Sequence, residues 1–400
     1  MMTNNEISKE VNCLRDTKMT NENNRITEKQ IKDEEFTKYR LFIPGPVEVI
    51  PEVMASMSKP IVMHYGNEWV NFYHKTTKLL GKIFGTKGSV HIIPGSGSAG
   101  LDMALGTIAG LGGVLVLKNG FFGDRIEKIL RTYTNNLYVC ETPLGQAIDE
   151  IKLDNILHKH SSKIRSVVVV HCETSTGVLN PIRKLGKVCK QYGALLVVDA
   201  ISSLGIEPLC MDEWGIDICI SASQKGLESP PGVAILAIGQ ECKKLIKNIN
   251  RPGWYLNLSV WENIDASLAS WHPSPVTMPT SIIRSLRVAI DNILSEGLNK
   301  RFSRHKEITN QLRNGLKDIG FDLFVKPEVA SHGVTTVECS PKKKEKILSF
   351  LEKEHRIILA GGLGELRNKI FRIGHIGPYA QEKIIDELLG YIAEACKYKQ

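Results

Sequence analysis

No apolar run in this chain approaches the ~20 residues that a membrane-spanning helix needs. The longest, such as Val167–Val170 and Leu195–Val198, are only a few residues each, so neither a transmembrane helix nor a membrane partner is expected. Cysteine pairing is missing as well. The nine cysteines, at 13, 140, 172, 189, 210, 219, 242, 339 and 396, are odd in number and none stands in C-x-x-C spacing. That argues against a disulfide framework and against zinc, and fits reduced thiols in a cytoplasm. The 11 histidines form no H-x-x-x-H or H-E-x-x-H pattern, and no metal is expected. Nor is there a block of one charge. The net charge of +8 is the small difference between 51 basic and 43 acidic side chains. Lys342-Lys343-Lys344 is the one dense basic run, and no aromatic residues interleave with it, so it reads as a solvated turn after Pro341 and not as a nucleic-acid surface.

What remains is ordinary globular composition, 42% apolar and 24% charged, which excludes collagen-like and mostly disordered classes. Residues 1–38 are rich in Asn, Thr, Lys and Glu without a signal-length apolar stretch, and their acidic residues argue against a mitochondrial presequence. They are expected to form a mobile tail. From Tyr39 onward the pattern is regular. Tyr39–Phe42 is extended and ends at Pro44-Gly45-Pro46. Val70, Tyr73, Leu80 and Phe84 recur at helical spacing. Strands are expected at Val90–Ile93, Val114–Leu117, Ser166–Val170, Ala194–Val198, Ile216–Ile220 and Val233–Ala237. Helices are expected at Ala99–Ile108, Phe122–Tyr133 and Pro181–Tyr192, the last with Asn180 as N-cap.

Short, continuously apolar strands alternating with helices predict an α/β fold with a mainly parallel sheet buried on both faces. A long helix at Ser281–Leu298 leaves it. A second alternation follows, with strands near Leu323–Val325, Val334–Glu338, Ile357–Leu359 and Ile370–Ile373. The expected division is a tail at 1–38, an arm at 39–62, a large domain at 63–298 and a small α+β domain at 299–400.

Three features carry chemistry. Gly95-Ser96-Gly97-Ser98-Ala99-Gly100 matches G-x-G-x-x-G between a strand and a helix. The dinucleotide reading is weakened because the next strand ends Lys118-Asn119, where an acid would hold a ribose. Small residues at a helix N-terminus nonetheless expose amides that can bind a phosphate, and a tight turn explains them equally well. Asp199 follows a buried strand and points to the crevice at the carboxyl edge of the sheet, although a lone Asp there also serves as a helix cap. Lys225 lies in a small-residue loop after another buried strand; such a lysine can be desolvated for imine chemistry or can simply be a surface residue. An anion cup, a buried acid and a lysine at one sheet edge are the groups that pyridoxal phosphate requires.

With those residues assembled, the chain resembles the class V aminotransferases of fold type I, and within them the alanine–glyoxylate and serine–pyruvate aminotransferase group. Seven ordered segments carry the likeness: Pro44-Gly45-Pro46, Gly95-Ser96-Gly97, Asn119-Gly120-Phe121-Phe122-Gly123, Glu173-Thr174-Ser175-Thr176-Gly177, Val198-Asp199-Ala200, Ser223-Gln224-Lys225 and Arg372-Ile373-Gly374. The resemblance implies Lys225 as the Schiff-base lysine and proton carrier, and Asp199 as partner of the pyridine nitrogen. Phe122 would stack on the cofactor, and Thr174 would lie near its ring hydroxyl. Ser96, Gly97, Ser98 and Gln224 would hold the phosphate, and Thr277 would reach the phosphate of a neighbouring subunit, which implies a homodimer. Arg372 would bind the substrate carboxylate, with Gly45 beside it.

The family often has a tyrosine where Ser274 stands, and some relatives carry a histidine where Ser98 stands. Its early His-Arg-Ser stretch reads His64-Tyr65-Gly66 here. The activity implied is transfer of an amino group from alanine or serine to glyoxylate or pyruvate. Another class V reaction, such as pyridoxamine–pyruvate transamination or a lyase, and a non-catalytic cofactor-binding module stand as alternatives.

Overall fold

The strand residues alternate between two apolar surroundings, and that alternation sets the architecture. Leu115, Leu117, Val167, Val169, Leu196 and Val198 join one buried cluster, while Val114, Val116, Val168, Val170 and Val197 join another on the opposite face. A sheet with apolar residues on both faces must be covered by helices on both. This computed structural model describes residues 38–398 except Asn248, Asn250, Pro252 and Ala269. The expected tail, apart from Lys38, lies outside the described residues.

The chain opens with strand β1 (Arg40–Phe42) and, after a short helix, helix α1 (Gly66–Phe84). Alternation then runs through β2 (Ser89–Pro94), α2 (Gly97–Ala109), β3 (Gly113–Lys118), α3 (Phe121–Arg131), β4 (Leu137–Glu141), α4 (Glu150–His160) and β5 (Ile164–Val170). A small hairpin of β6 (Cys172–Glu173) and β7 (Val178–Leu179) precedes α5 (Ile182–Gln191), β8 (Leu195–Asp199), β9 (Ile218–Ala222) and β10 (Val233–Ile238). The seven-stranded sheet has the order β2-β10-β9-β8-β5-β3-β4. Its pairs are parallel from β9 through β8, β5 and β3 to β4, and β10 runs antiparallel to both neighbours. The carboxyl ends of β3, β5, β8 and β9 therefore share one edge.

Helices α6 (Thr280–Glu296) and α7 (Leu298–Asp318) lead to β11 (Val334–Glu338), α8 (Pro341–His355), β12 (Ile357–Gly361), β13 (Ile370–Gly374) and α9 (Glu382–Lys397). A four-stranded sheet of order β1-β12-β13-β11 forms here. Its core joins Phe42, Leu359, Phe371 and Ile373 to Leu312 of α7, Leu351 of α8 and Leu388 of α9.

Three sequence expectations change. Leu323–Val325 is not a strand; only an isolated bridge joins Leu323 to Val337, because Pro327 starts a 3₁₀ turn that ends the extended run. Asn180 does not cap α5, whose N-cap is Pro181. Its side chain is used elsewhere, donating to Val170 O (2.8 Å) and accepting from Asn119 Nδ2 (2.9 Å) and the Ile148 amide (3.0 Å). The segment between α3 and β5, unassigned from sequence, folds as β4 and α4. Strand β4 lies at the edge of the sheet with Val139 partly in solvent, so its pattern is not that of a buried strand.

Candidate active site

At the carboxyl edge of the large sheet lies a cavity of about 300 Å³. Asp199 ends β8, and the loop after β9 carries Gln224 and Lys225. The first turn of α2 brings Ser96, Gly97 and Ser98, and α3 brings Phe122. All seven line this one cavity, together with Thr174 and Gly45. Parallel strands deliver their ends to one side of the sheet, so residues more than a hundred positions apart meet there.

Lys225 is enclosed. Its Nζ donates to Pro44 O at 2.6 Å, and burial, followed by the nearby Arg372 charge, lowers its pKa to about 8. Gly45 has φ +128°, and a Cβ there would lie 2.4 Å from Lys225 Cδ. Only glycine leaves room for the lysine. Asp199 is 4% exposed. Its Oδ1 accepts from the Ile201 amide at 2.9 Å, and burial raises its pKa to about 7 against that hydrogen bond. Thr174 Oγ1 donates to Ser202 Oγ at 2.7 Å.

Arg372, on β13, is buried behind these groups. Its Nε donates to Gly361 O at 2.9 Å and its Nη1 to Thr174 O at 3.1 Å, leaving Nη2 without a protein acceptor among the described residues. Burial lowers its pKa to about 10, opposed by Glu173. Neither Arg372 nor Thr277 lines the cavity itself; Thr277 is exposed, in the segment before α6. Ser274 is buried and donates to Val276 O at 3.2 Å.

Among the cavity residues that sequence reading missed are Arg125 and Ser202. Arg125, one helical turn beyond Phe122, has its Cζ 5.4 and 4.9 Å from the Phe121 and Phe122 ring centroids. Its i+3 spacing from Phe122 was the available signal. Ser202 is located only by its partner Thr174, 28 positions away, and no local pattern announces it.

The family model of the class V aminotransferases matches residues 136–372. The chain belongs to the class V aminotransferases. It is 35% identical over 354 residues to an uncharacterized aminotransferase of Methanocaldococcus jannaschii, covering 88% of this chain and 91% of that one. To the alanine–glyoxylate aminotransferase of Oryctolagus cuniculus it is 29% identical over 372 residues, 90% of this chain and 94% of that one. The crystal structure of an alanine–glyoxylate aminotransferase from Nostoc sp. superposes with a TM-score of 0.84 at 28% identity, covering 90% of this chain and 96% of that one. As a class V aminotransferase the chain is an enzyme whose cofactor is pyridoxal phosphate.

The cavity suits that cofactor. Ser96, the N-cap of α2, makes no side-chain cap hydrogen bond, which leaves its hydroxyl and the first helix amides available to a phosphate. Gln224 Oε1 is buried without a hydrogen-bond partner. Asp199 forms no ion pair among the described residues, a state that a cationic ring nitrogen would relieve. No helix among the described residues is long and apolar enough to cross a membrane.

Proposed function

We propose that this aminotransferase moves the amino group of a small L-amino acid, alanine or serine, to a small 2-oxo acid, glyoxylate or pyruvate. The observation that carries the reading is the single cavity holding Lys225, an unpaired Asp199 and the open N-terminus of α2, with Arg372 behind. The names of the Oryctolagus and Nostoc relatives support the substrate pair. When bound, pyridoxal phosphate supplies an electron sink for the carbanion formed at the substrate Cα.

The chain's own residues do the rest. Lys225 is the attachment lysine. Its pKa near 8 leaves a useful neutral fraction at neutral pH, so Nζ can take the Cα proton and return it. Pro44 O orients that nitrogen. With the cofactor bound, Asp199 would hold the proton on the ring nitrogen, and Phe122 would form a flat wall against the ring. Ser96, Gly97, Ser98 and Gln224 would bind the phosphate, and Thr174 would meet the ring hydroxyl. Arg372 Nη2, with the second Nη1 proton, meets the substrate carboxylate beside Gly45. In this reading residues 63–298 are the cofactor domain and 299–400 the small domain. The enzyme is a homodimer in which Thr277 serves the neighbouring subunit's phosphate. The eight described cysteines are all unpaired, which supports a cytoplasmic location.

The test is an absorption spectrum of the purified protein, followed by L-alanine and then glyoxylate. A visible band that bleaches with alanine and returns with glyoxylate is the expected result. A band bleached only by other amines overturns the substrate pair. No band after added pyridoxal phosphate overturns the whole reading. Lys225→Ala should abolish turnover, and wild-type activity in that variant would refute the mechanism.

A further inference from the structure

Helix α3 carries Phe122, yet its N-cap is Gly120, which has no side chain to receive the first helix amides. The caps come from another element. Glu173, with no exposed surface, accepts from the Phe122 amide at 3.1 Å and the Gly123 amide at 3.1 Å through Oε2. Its Oε1 accepts from the Ser175 amide at 3.0 Å and from Ser175 Oγ at 2.5 Å. Ser175 Oγ in turn accepts from the Phe121 amide at 3.0 Å. The amides of Phe121, Phe122 and Gly123 therefore all end on the 173–175 segment. A Cβ on residue 120 would lie 2.5 Å from Glu173 Cγ, so glycine at this cap position is what admits the carboxylate. An anionic acceptor at a helix N-terminus meets both the free amides and the positive end of the helix dipole.

The same segment also reaches the other side of the cavity. Between the two capping residues, Thr174 O accepts from Arg372 Nη1, and Thr174 Oγ1 bonds Ser202. Glu173 is itself held in register by pairing with Val178 across β6 and β7.

We propose that Glu173 is a positioning residue that locks the start of α3, and with it the plane of the Phe122 ring, to the segment that holds Arg372. Ring wall and carboxylate-binding arginine then move as one body. This rests on the aminotransferase reading, because it concerns how the cofactor and the amino donor are seated.

The test compares wild type with Glu173→Gln, which keeps the volume but turns an NH₂ toward amide donors. Asp149→Ala is the control, since it removes the side-chain cap of α4, away from the cavity. Three quantities are read: amide hydrogen exchange of the 121–125 segment in the cofactor-free protein, visible circular dichroism of the holoenzyme, and KM against kcat for the amino donor. In Glu173→Gln, exchange at Phe122 and Gly123 should rise about fivefold or more. The dichroic band should fall by about half, and KM should rise about tenfold with a smaller change in kcat. The control should lower the melting temperature and leave all three readouts at wild-type values.

Unchanged exchange in Glu173→Gln overturns the inference whatever the cofactor does. Faster exchange with wild-type dichroism and KM also overturns it, since the cap would then be structural only. A wild-type protein that takes up no pyridoxal phosphate overturns the underlying reading and this inference together, and is recognised because wild type itself fails. If Glu173→Gln does not fold, Ser175→Ala removes the Phe121 acceptor and one donor to Glu173 Oε1, and keeps the Glu173 bonds to the Phe122 and Gly123 amides. It should move the same readouts about twofold, and no movement there overturns the proposal.

Discussion

Lys225 lies against a backbone position that only glycine can occupy. Gly45→Ala adds a methyl 2.4 Å from the lysine Cδ at a φ of +128°, so the side chain must move. The variant should take up pyridoxal phosphate about tenfold more slowly or worse, measured by growth of the visible band in the cofactor-free protein. Uptake by wild type needs the neutral amine, so its rate should climb with pH and level off above about 8, the lowered pKa of Lys225. Asp199 gives a stability signature of opposite sign. Its pKa is raised from 3.8 to about 7 by burial, so the folded, cofactor-free protein binds the proton more tightly than the unfolded chain. Stability from this group is present at low pH and is lost as pH rises between about 4 and 7. Asp199→Asn should therefore gain stability relative to wild type at pH 8 compared with pH 5. Denaturant titration of the cofactor-free proteins at both pH values checks this.

Among the elements, α7 does more than support the small sheet. Arg301 on this helix is 2% exposed. It donates to Gly205 O at 2.6 Å and to Gly226 O at 3.1 Å, pairs with Glu228, and reaches Glu296 at 3.1 Å. Gly226 directly follows Lys225, so the arginine clamps the lysine loop from behind. Arg301→Met removes the cation and leaves two poorly hydrated carboxylates facing it. The expected cost is about 3 kcal/mol or more, read as a lowered denaturation midpoint. A change below about 1 kcal/mol would show that Arg304, which also holds Glu296 at 2.6 Å, takes over the role.

For the molecule as a whole, one surface is too apolar to face water alone. Ile61, Met63 and Trp271 are 85%, 65% and 55% exposed, and Tyr65 packs on Trp271 with ring centroids 5.3 Å apart. In the proposed homodimer these exposed apolar side chains would belong to the association surface. Thr277 follows Trp271 by six positions in the chain. A second copy covering this face would account both for the patch and for the position of Thr277 outside its own cavity. Trp271→Glu should convert a dimer to a monomer in sedimentation velocity, and Thr277→Ala should weaken cofactor affinity while leaving the dimer intact. A wild-type monomer would overturn this assembly.

The sequence by itself determined six of the seven strands of the large sheet and most of the cavity. Buried parallel strands are short apolar runs, and their carboxyl ends are a fixed offset from them, so Ser96, Asp199 and Lys225 could be assigned to one edge before any coordinates. Local pattern also sufficed for α1, α2, α3 and the strands of the small sheet, with Leu323–Val325 the exception because a turn at Pro327 overrides its apolar run. Only the tertiary structure decided what distant polar groups do. Asn180 looked like a helix cap and instead ties Asn119 to Val170; Glu173 was one letter of a matched segment and caps a helix fifty positions earlier; Arg301 carried no signal at all. Apolar periodicity is written locally because burial acts on each residue's own face. A hydrogen bond to a buried carboxylate or carbonyl has no sequence period, since its partner is chosen by how the elements pack.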